Sequence, residues 1–243
     1  MNTVLIIGAK SDIAKALAHA YAANYSHLQL AARKVHELER FANDLRIRHQ
    51  VEVSLHELDI TDVTSHQKFY EALTPKPRGV IVAAGYMYEQ QLVQQSLEKT
   101  LETLNVNFTG AVSLLNAVAN DFEARREGFI VGISSVAGDR GRASNYIYGA
   151  AKAGFSAYLS GLRNRLYASD VHVMTVKPGF VNTKMTAALT LPATLTAEPH
   201  EVAEDILNAQ QRGVDILYSK WIWRYIMGII TLIPESLFKK LHL

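Results

Sequence analysis

Short apolar runs alternate with segments of helical periodicity along this 243-residue chain. Six runs have the length and the Val, Ile and Leu content of buried strands: Thr3–Ile7, Leu28–Ala32, Val51–Leu55, Gly79–Val82, Phe129–Ile133 and Val171–Val176. Between them, apolar residues recur with the period of a helix near Ile13–Ala23, Val35–His49, Asp62–Leu73, Leu97–Glu123 and Ser144–Ala168. The alternation predicts an α/β fold in which βαβ crossovers build a doubly wound parallel sheet with helices on both faces.

The predicted elements form one domain. No internal repeat, low-complexity tract or linker interrupts the alternation, so we predict a single Rossmann-type domain over residues 1–243. Residues 178–200 are irregular, contain three prolines and follow the last clear strand. A loop at the carboxyl end of a parallel strand is well placed to cover a site, so we predict a substrate flap there, although a surface loop without function has the same composition.

Composition narrows the class of protein. The formal net charge is +2 and no Lys- or Arg-rich run occurs, which argues against a nucleic-acid partner. The chain contains no cysteine, so disulfides and thiolate chemistry are excluded, and we assign no metal site. The first residues form a short apolar strand rather than a signal peptide, and no apolar run reaches the roughly 18 residues of a membrane span. These features predict a cytoplasmic protein.

The most informative side chains are a tyrosine and a lysine four residues apart, Tyr148 and Lys152. In a helix they share one face, so the ammonium is a neighbour of the phenol and favours its ionised form. The pairing makes a usable general acid or base of a tyrosine that is otherwise protonated at neutral pH. Tyr146 is a competing phenol, but Ala150 rather than a lysine stands four residues after it.

A serine thirteen residues before the tyrosine, Ser135, lies just after a predicted strand. Its hydroxyl can hydrogen-bond the same substrate oxygen that the phenol of Tyr148 serves. Ser134 is the alternative serine, and the spacing favours Ser135. The three side chains Ser135, Tyr148 and Lys152 therefore indicate proton transfer to or from a carbonyl or an alcohol.

The turn after the first predicted strand is a candidate dinucleotide site. Gly8 permits a tight turn and Ala14 replaces a packing glycine, but Asp12 stands where a second glycine would let the backbone approach pyrophosphate. Because a carboxylate repels pyrophosphate, we expect Asp12 to turn away and cap the helix, sharing that role with Ser11. An ordinary βα turn would look much the same. The predicted cofactor contacts in this turn are Gly8, Lys10, Ser11, Asp12 and Ile13.

Arg33 directly follows the second predicted strand, where NAD enzymes carry an acidic residue for the adenosine ribose. An arginine suits a 2′-phosphate instead, so NADPH is the predicted cofactor, although a solvated arginine at a helix start would have the same sequence. Asp59 is predicted to bond the adenine amino group, and the backbone of Ala84 and Gly85 to pass close to the adenosine. The hydride must come from the nicotinamide, since protein side chains cannot supply one.

These motifs together resemble the short-chain dehydrogenases/reductases, and the resemblance covers nearly the whole chain. The matching residues are Gly8–Ala14, Asp59, Ala83–Gly85, Asn107, Ser135, Tyr148-x-x-x-Lys152 and Pro178-Gly179-x-x-x-Thr183. Two departures are visible: the first turn lacks two of the family's glycines, and Ala83 replaces an asparagine. Because dimers and tetramers are common in the family, the resemblance also implies a homo-oligomer.

The resemblance implies a role for each matched residue. Tyr148 donates the proton to the reduced carbonyl, Lys152 lowers its pKa and holds the nicotinamide ribose, and Ser135 orients the carbonyl oxygen. Asn107 supports a water-linked proton path behind Lys152, with Asn105 as the nearby alternative. The nicotinamide end of the cofactor is implied to contact Pro178, Gly179, Val181 and Thr183.

A narrower resemblance concerns the substrate. The stretch Ser134–Tyr148 and the ending from Arg224 onwards look like the ketoreductase component of decaprenylphosphoryl-ribose 2′-epimerisation, whose Ser-Glu turn is similar to Ser11–Asp12. In that group an FAD enzyme oxidises C2 of a polyprenyl-phosphate-linked ribose, and the reductase returns hydride from the opposite face. The resemblance implies a lipid-linked keto-sugar substrate, an FAD-dependent oxidase partner and a role in cell-envelope biosynthesis.

The apolar C-terminal segment, residues 215–243, agrees with a lipid-linked substrate. Trp221 and Trp223 at one end and Lys239 and Lys240 at the other flank an apolar stripe, which is typical of a membrane interface or a lipid-binding flap. The pattern predicts peripheral contact with the inner face of the membrane. Packing on the core or across a subunit interface explains the segment equally well. Two arginines after the catalytic serine could meet a phosphate or simply be solvated, Arg140 and Arg142.

The predicted function is therefore an NADPH-dependent ketoreductase that acts on a polyprenyl-phosphate-linked keto-sugar. A general carbonyl or 3-oxoacyl reductase with a soluble substrate is the second hypothesis. A cofactor-binding regulatory protein without turnover is the third, and the complete set of Asn107, Ser135, Tyr148 and Lys152 argues against it.

Overall fold

A computed structural model describes residues 2–187 and 190–241. Positions 188–189 of the predicted flap and the last two residues of the C-terminal segment therefore lie outside the described residues. The described residues build a seven-stranded parallel sheet in the order β3-β2-β1-β4-β5-β6-β9 and a small parallel pair, β7-β8. The strands are β1 Thr3–Ile7, β2 His27–Ala32, β3 Glu52–Glu57, β4 Gly79–Val82, β5 Phe129–Ile133, β6 His172–Pro178, β7 Phe180–Val181, β8 Thr196–Ala197 and β9 Ile216–Ser219.

The helices follow the predicted alternation with three changes. They are α1 Asp12–Ala22, α2 Glu39–His49, α3 His66–Ala72, α4 Gln90–Val93, α5 Leu97–Leu104, α6 Gly110–Arg125, α7 Tyr146–Leu166, α8 Pro199–Gln211, α9 Ile222–Leu232 and α10 Glu235–Phe238. The long helix predicted over Leu97–Glu123 is divided by a π-helical segment, Asn105–Thr109. The helix predicted from Val35 begins with a 3₁₀ turn, and the one predicted from Asp62 begins at His66.

The side-chain alternation of the strands divides the core into two layers. In β1, Val4 and Ile6 belong to the cluster that packs on α1, α2 and α8, whereas Leu5 and Ile7 belong to the cluster that packs on α3, α6 and α7. All four side chains are 1% exposed or less. Because both faces of a parallel sheet are covered, its strands are apolar throughout, which is why the sequence shows continuous Val, Ile and Leu runs.

The strand order reverses between β1 and β4, and this switch point positions the candidate site. The turns after both strands meet there, since a Cβ built on Gly8 would lie 2.5 Å from the backbone nitrogen of Ala84. Gly8 also has a φ of +79°, which a residue with a side chain rarely adopts. In open α/β sheets, ligands bind outside the carboxyl ends of the strands at such a point.

The C-terminal part contains elements that the hydrophobic pattern did not predict. Helix α8 begins at Pro199, inside the predicted flap, and β9 adds a seventh parallel strand beside β6. The flap itself carries the β7-β8 pair at its two ends. Helix α9 buries Trp223 and Met227 against Val136, next to the candidate serine Ser135. Within the ranges described above, no helix is both long enough and apolar enough to cross a membrane.

A glycine at the start of α6, Gly110, is required by a close approach of backbone. A Cβ at this position would lie 1.9 Å from the carbonyl oxygen of Ile60, and backbone cannot move aside as a flexible side chain can. We expect Gly110→Ala to lower the free energy of unfolding by about 1–3 kcal/mol in a urea titration. Gly161→Ala in α7 is the matched control, because nothing lies within 4 Å of its Cβ. It should leave stability unchanged or raise it by about 0.5–1 kcal/mol; equal effects of the two substitutions would contradict this explanation.

Candidate active site

A cleft of about 480 Å³ lies at the carboxyl ends of the central strands. Its wall is formed by the turn after β1, the turns after β4 and β5, the first turns of α7 and the start of the flap. It brings together most of the predicted site residues: Lys10, Ser11, Asp12, Ile13, Ala84, Gly85, Ser135, Tyr148, Lys152, Pro178, Gly179, Val181 and Thr183. The other predicted residues are Gly8, Arg33, Asp59 and Asn107, which lie outside the lining.

Helix α7 carries the tyrosine and the lysine into the cleft from one face. Lys152 is 3% exposed, and its Nζ donates to the carbonyl oxygen of Ile133 at 3.0 Å. The same Nζ lies 5.6 Å from the centroid of the Tyr148 ring. The spacing of four residues therefore produces the neighbouring phenol and ammonium that the sequence predicts.

Burial dominates the electrostatics of this pair. Desolvation raises the pKa of Tyr148 to about 12, and a hydrogen bond with the Ser135 hydroxyl opposes the rise. Desolvation also lowers the pKa of Lys152 to about 8. Both shifts favour the neutral forms, so Tyr148 stays protonated at neutral pH and can act as a proton donor. That Lys152 lowers the pKa of the phenol, as expected from the sequence, remains a prediction.

The two candidate serines have different partners. Ser134 Oγ donates to the carbonyl oxygen of Lys152 at 2.9 Å and lies 2.7 Å from Ser156 Oγ, so it ties the end of β5 to α7. Ser135 Oγ accepts from the Ala137 backbone nitrogen at 3.1 Å and lines the cleft beside Tyr148. The geometry thus favours Ser135 as the residue that can reach a substrate.

The competing tyrosine lies elsewhere. Tyr146 is 45% exposed, and its hydroxyl donates to the Gln94 side chain at 3.1 Å. Its side chain does not contribute to the lining of the cleft. Tyr148 is therefore the phenol that shares the cleft with Lys152.

Asn107 lies directly behind the cleft, in the π-helical segment between α5 and α6. Its Nδ2 donates to the carbonyl oxygens of Tyr86 and Thr103 at 2.7 and 2.9 Å. A Cβ built on Gly85 would lie 3.1 Å from Asn107 Oδ1 and 3.5 Å from Lys152 Nζ, so these atoms are close neighbours. The arrangement fits a proton path behind Lys152, and that role stays a prediction.

The cofactor half of the cleft corrects the expectation for Asp12. Ser11 alone caps α1, because its Oγ accepts from the Ala14 backbone nitrogen at 3.1 Å. Asp12 is the first residue of the helix, and its Oδ2 accepts from the backbone nitrogen of Lys184 at 2.8 Å. The carboxylate therefore ties the first turn to the flap instead of capping the helix. This contact spans 172 residues of sequence and could not be read from local pattern.

The adenosine end of the predicted cofactor site lies at the edge of the sheet. Arg33 is exposed after β2, and its carbonyl oxygen accepts from Lys10 Nζ at 3.3 Å. Lys10 also forms an ion pair with Glu37. Asp59 Oδ1 accepts from the backbone nitrogen and hydroxyl of Thr61, at 2.9 and 2.8 Å, so one of its oxygens stabilises a turn. The cofactor roles of these residues stay predictions.

The start of the flap packs against α9. A Cβ on Gly179 would lie 1.9 Å from Trp223 Nε1, so the glycine is required by the tryptophan, whose Nε1 donates to the Leu195 carbonyl oxygen at 3.1 Å. Further along, Thr183 Oγ1 lies 3.3 Å from Thr186 Oγ1, and both threonines line the cleft. The flap is thus held at both ends beside the candidate site residues.

Several lining residues were not predicted from the sequence. Tyr86 and Met87 directly follow Gly85, Met185 lies inside the predicted flap, and Asn145 precedes α7. Each lies within a few positions of a predicted site residue, and this proximity in sequence is the signal by which these lining residues could have been predicted.

Comparison with known proteins assigns the family. The profile described as short chain dehydrogenase matches residues 2–193. The chain belongs to the short-chain dehydrogenase family. Membership confirms the predicted fold and the predicted class of enzyme, an oxidoreductase.

Similar proteins cover nearly the whole of this short-chain dehydrogenase. An uncharacterised oxidoreductase of Mycobacterium tuberculosis is 31% identical over 241 residues, which are 98% of this chain and 96% of the relative. A short-chain dehydrogenase from Sphingobium yanoikuyae in complex with NADPH is 27% identical, with a TM-score of 0.82 and coverage of 97% and 98% of the two chains. A bulky-bulky ketone specific alcohol dehydrogenase from Comamonas testosteroni is 25% identical, with a TM-score of 0.80 and coverage of 97% and 96%.

Substitution of Lys152 by methionine should change how the stability of this dehydrogenase depends on pH. Because burial lowers the pKa of Lys152 from 10.5 to about 8, the unfolded chain holds a proton between these values that the folded chain has released. The free energy of unfolding therefore rises with pH between pH 8 and pH 10.5. This difference in pKa between the unfolded and the folded chain corresponds to about 3 kcal/mol of free energy of unfolding. Relative to Lys152→Met, the wild type should gain up to about 3 kcal/mol in free energy of unfolding from pH 7.5 to pH 10.5.

Urea titrations at both pH values measure this difference, and subtracting the variant removes the other titrating groups. Lys68→Met is the control, because Lys68 is exposed on α3. It should leave the pH dependence of the wild type unchanged. Parallel pH dependence for the wild type and Lys152→Met would show that the ammonium is not desolvated.

Proposed function

We propose that this short-chain dehydrogenase is an NADPH-dependent ketoreductase whose proton donor is Tyr148. The observation that carries the proposal is that Ser135, Tyr148 and Lys152 line a single cleft together with the candidate dinucleotide turn. Three independent elements, the turn after β5, helix α7 and the turn after β1, contribute to it. A regulatory protein without turnover would not need this combination.

The residues of the first turn fit a dinucleotide. The N-terminus of α1 offers free backbone N–H groups to a pyrophosphate, and the close contact of Gly8 with Ala84 leaves backbone rather than side chains there. The carboxylate of Asp12 accepts a hydrogen bond from the backbone nitrogen of Lys184, which directs it toward the flap. When bound, the nicotinamide supplies the hydride. The rest of the cofactor would be held by Gly85 at the adenosine and by Val181 and Thr183 at the nicotinamide.

Positive charge at the adenosine end supports NADPH rather than NADH. The exposed guanidinium of Arg33 is accessible to a 2′-phosphate, whereas the neighbouring Lys10 is ion-paired with Glu37. The NADPH complex of the similar Sphingobium dehydrogenase supports the same cofactor. Asp59 remains the proposed contact for the adenine.

The proposed proton transfer follows from the protonation states. Tyr148 is protonated at neutral pH because burial raises its pKa to about 12, so its hydroxyl can donate to the oxygen of a carbonyl as negative charge develops there. Ser135 donates a second hydrogen bond to the same oxygen. Lys152 and Asn107 stand behind the phenol as the route by which the proton is replaced.

The proposed substrate is a polyprenyl-phosphate-linked keto-sugar. The C-terminal helix α9 supports it, because one face packs beside the site while the opposite face is apolar and exposed. Residues at helical spacing form that outer face: Trp221, Tyr225, Ile229 and Leu232, which are 73%, 63%, 68% and 83% exposed. A lipid tail could therefore lie close to a sugar held in the cleft. An FAD-dependent oxidase that generates the keto-sugar is the partner this substrate requires.

The outer face of α9 is proposed to contact an anionic bilayer surface. Arg224, Lys239 and Lys240 are exposed cations beside it, whereas the acidic Glu235 is paired with Arg140 at 2.5 Å. Apolar and aromatic side chains bordered by unpaired positive charge match the interface of an anionic membrane. The protein would then work at the cytoplasmic surface, where its lipid-linked substrate lies.

Substitution of Tyr148 by phenylalanine tests the catalytic proposal. We expect Tyr148→Phe to lose about 10²- to 10⁴-fold in turnover, because the proton donor is removed while the ring that shapes the cleft remains. NADPH binding, measured by its fluorescence, should be retained, and NADPH should be preferred to NADH. The substrates are a polyprenyl-phosphoryl 2-keto-pentose made in situ by an FAD oxidase, a short-chain ketone and a 3-oxoacyl thioester.

The control is Tyr146→Phe, which alters the exposed tyrosine two residues away and should retain activity. Turnover confined to the lipid-linked sugar would support the substrate proposal. Turnover of soluble carbonyls alone would refute that substrate and leave the reductase in place. Full activity of Tyr148→Phe would refute the mechanism.

Membrane contact is tested by Ile229→Asp, which places a charge in the centre of the outer face of α9. The variant should lose co-sedimentation with vesicles that contain phosphatidylglycerol, because a buried charge opposes insertion of the apolar face. Ile47→Asp is the matched control, since Ile47 is 81% exposed on α2. If Ile229→Asp instead changes the oligomeric state and leaves vesicle binding intact, the face belongs to a contact between two copies of the chain.

A further inference from the structure

Two polar atoms in the wall of the cleft have no hydrogen-bond partner among the described residues: Arg142 Nε and Asn145 Oδ1. Both are buried, and both belong to the turn that joins Ser135 to α7. Both side chains line the cleft, and a half-buried guanidinium in that position points to an anionic ligand. The proposed roles of Ser135, Tyr148 and Lys152 use neither of them.

The backbone and α9 hold Arg142 in position. Its Nη2 donates to the carbonyl oxygen of Val136 and to Met227 Sδ, both at 3.4 Å. Val136 directly follows the catalytic serine, so the guanidinium is fixed beside the reacting centre. Asn145 is attached to the same turn, because its backbone nitrogen donates to the Arg142 carbonyl oxygen at 3.1 Å.

No carboxylate among the described residues forms an ion pair with Arg142. Asp139 is the carboxylate that acts on it, but Asp139 Oδ1 accepts from Lys177 Nζ at 2.5 Å and Oδ2 accepts from the Tyr218 hydroxyl at 2.8 Å. One carboxylate therefore serves two cations. Burial lowers the pKa of Arg142, which means that its charge is held against a desolvation penalty. An anion bound in the cleft would offset that penalty.

The neighbouring arginine has a different role. Arg140 Nη2 donates to Glu235 at 2.5 Å and Nη1 to the Thr231 carbonyl oxygen at 3.2 Å, and its guanidinium lies 4.2 Å from the centroid of the Phe238 ring. It anchors the C-terminal segment and its charge is neutralised. Arg140 therefore stabilises the fold, whereas Arg142 lines the cleft.

We propose that Arg142 and Asn145 form a subsite for an anionic oxygen group of the substrate, of the phosphate or carboxylate class. The guanidinium of Arg142 donates to the anion, and Asn145 lines the cleft beside it. The inference rests on the proposed function and deepens it, because a lipid-phosphate-linked keto-sugar presents a phosphate and a hydroxyl close to its ketone. The subsite fixes which end of such a substrate faces Ser135.

Binding of simple probes tests the subsite without turnover. Isothermal titration of the full chain, saturated with NADP⁺, would use hexyl phosphate, hexanoate and hexanol as probes. We expect hexyl phosphate or hexanoate to bind more tightly than hexanol, and the preferred anion identifies the class. Arg142→Gln should weaken binding of that anion on the order of 10- to 100-fold, since a charge-assisted hydrogen bond is lost. Its affinity for hexanol and for NADP⁺ should not change.

The control variant is Arg212→Gln, which removes an equal charge from an exposed position after α8 and should leave anion affinity unchanged. Equal loss in both variants, or equal binding of the anions and hexanol to the wild type, would overturn the subsite. A loss of NADP⁺ affinity in Arg142→Gln would assign the arginine to the cofactor and overturn it as well. Because these experiments measure binding and no reaction, failure of the subsite can be distinguished from failure of the catalytic proposal, which the activity of Tyr148→Phe tests.

Discussion

The tight backbone contact between the turn after β5 and helix α7 is the constraint on which the site depends. A Cβ on Gly138 would lie 2.8 Å from the carbonyl carbon of Lys152, and a Cβ on Gly149 would lie 2.8 Å from a backbone oxygen of the turn. Neither position has room for a side chain. Because Ser135 belongs to the turn while Tyr148 and Lys152 belong to the helix, this contact sets the distances among the three. The two glycines thus bring together a hydroxyl and a phenol that are thirteen residues apart in sequence.

The same contact buries Lys152, and burial determines the chemistry. An ammonium that donates to the carbonyl oxygen of Ile133 is fixed at the end of β5, where it shares a desolvated environment with the phenol of Tyr148. Desolvation raises the pKa of the tyrosine and lowers that of the lysine. Exposure of this pair to water would remove both shifts. The apolar packing of the cleft is therefore part of what sets the protonation states of Tyr148 and Lys152, in addition to the polar groups themselves.

Local pattern predicted those parts of the molecule that depend on local geometry. The six strands and their parallel arrangement follow from continuous apolar runs that alternate with helical segments, and the pairing of Tyr148 with Lys152 follows from the helical period of 3.6 residues. Strand β9 was not predicted because four residues at the sheet edge, partly exposed, carry little pattern. The contact of Asp12 with Lys184 and the packing of Gly179 on Trp223 join distant segments, so no spacing indicates them. Sequence likewise could not tell which of two nearby arginines faces the cleft.

Helix α9 connects the site with the molecular surface. Its inner face places Met227 against Arg142 and Trp223 against Gly179, so the helix supports both the turn after β5 and the flap. Its outer face exposes Ile229 and other apolar side chains. The cleft presents polar groups, and the outer face of α9 beyond it presents apolar surface. A substrate with a charged head and an apolar tail would match this arrangement. Since both faces belong to one short helix, a change that displaces α9 from a lipid surface should also disturb the position of the guanidinium in the cleft.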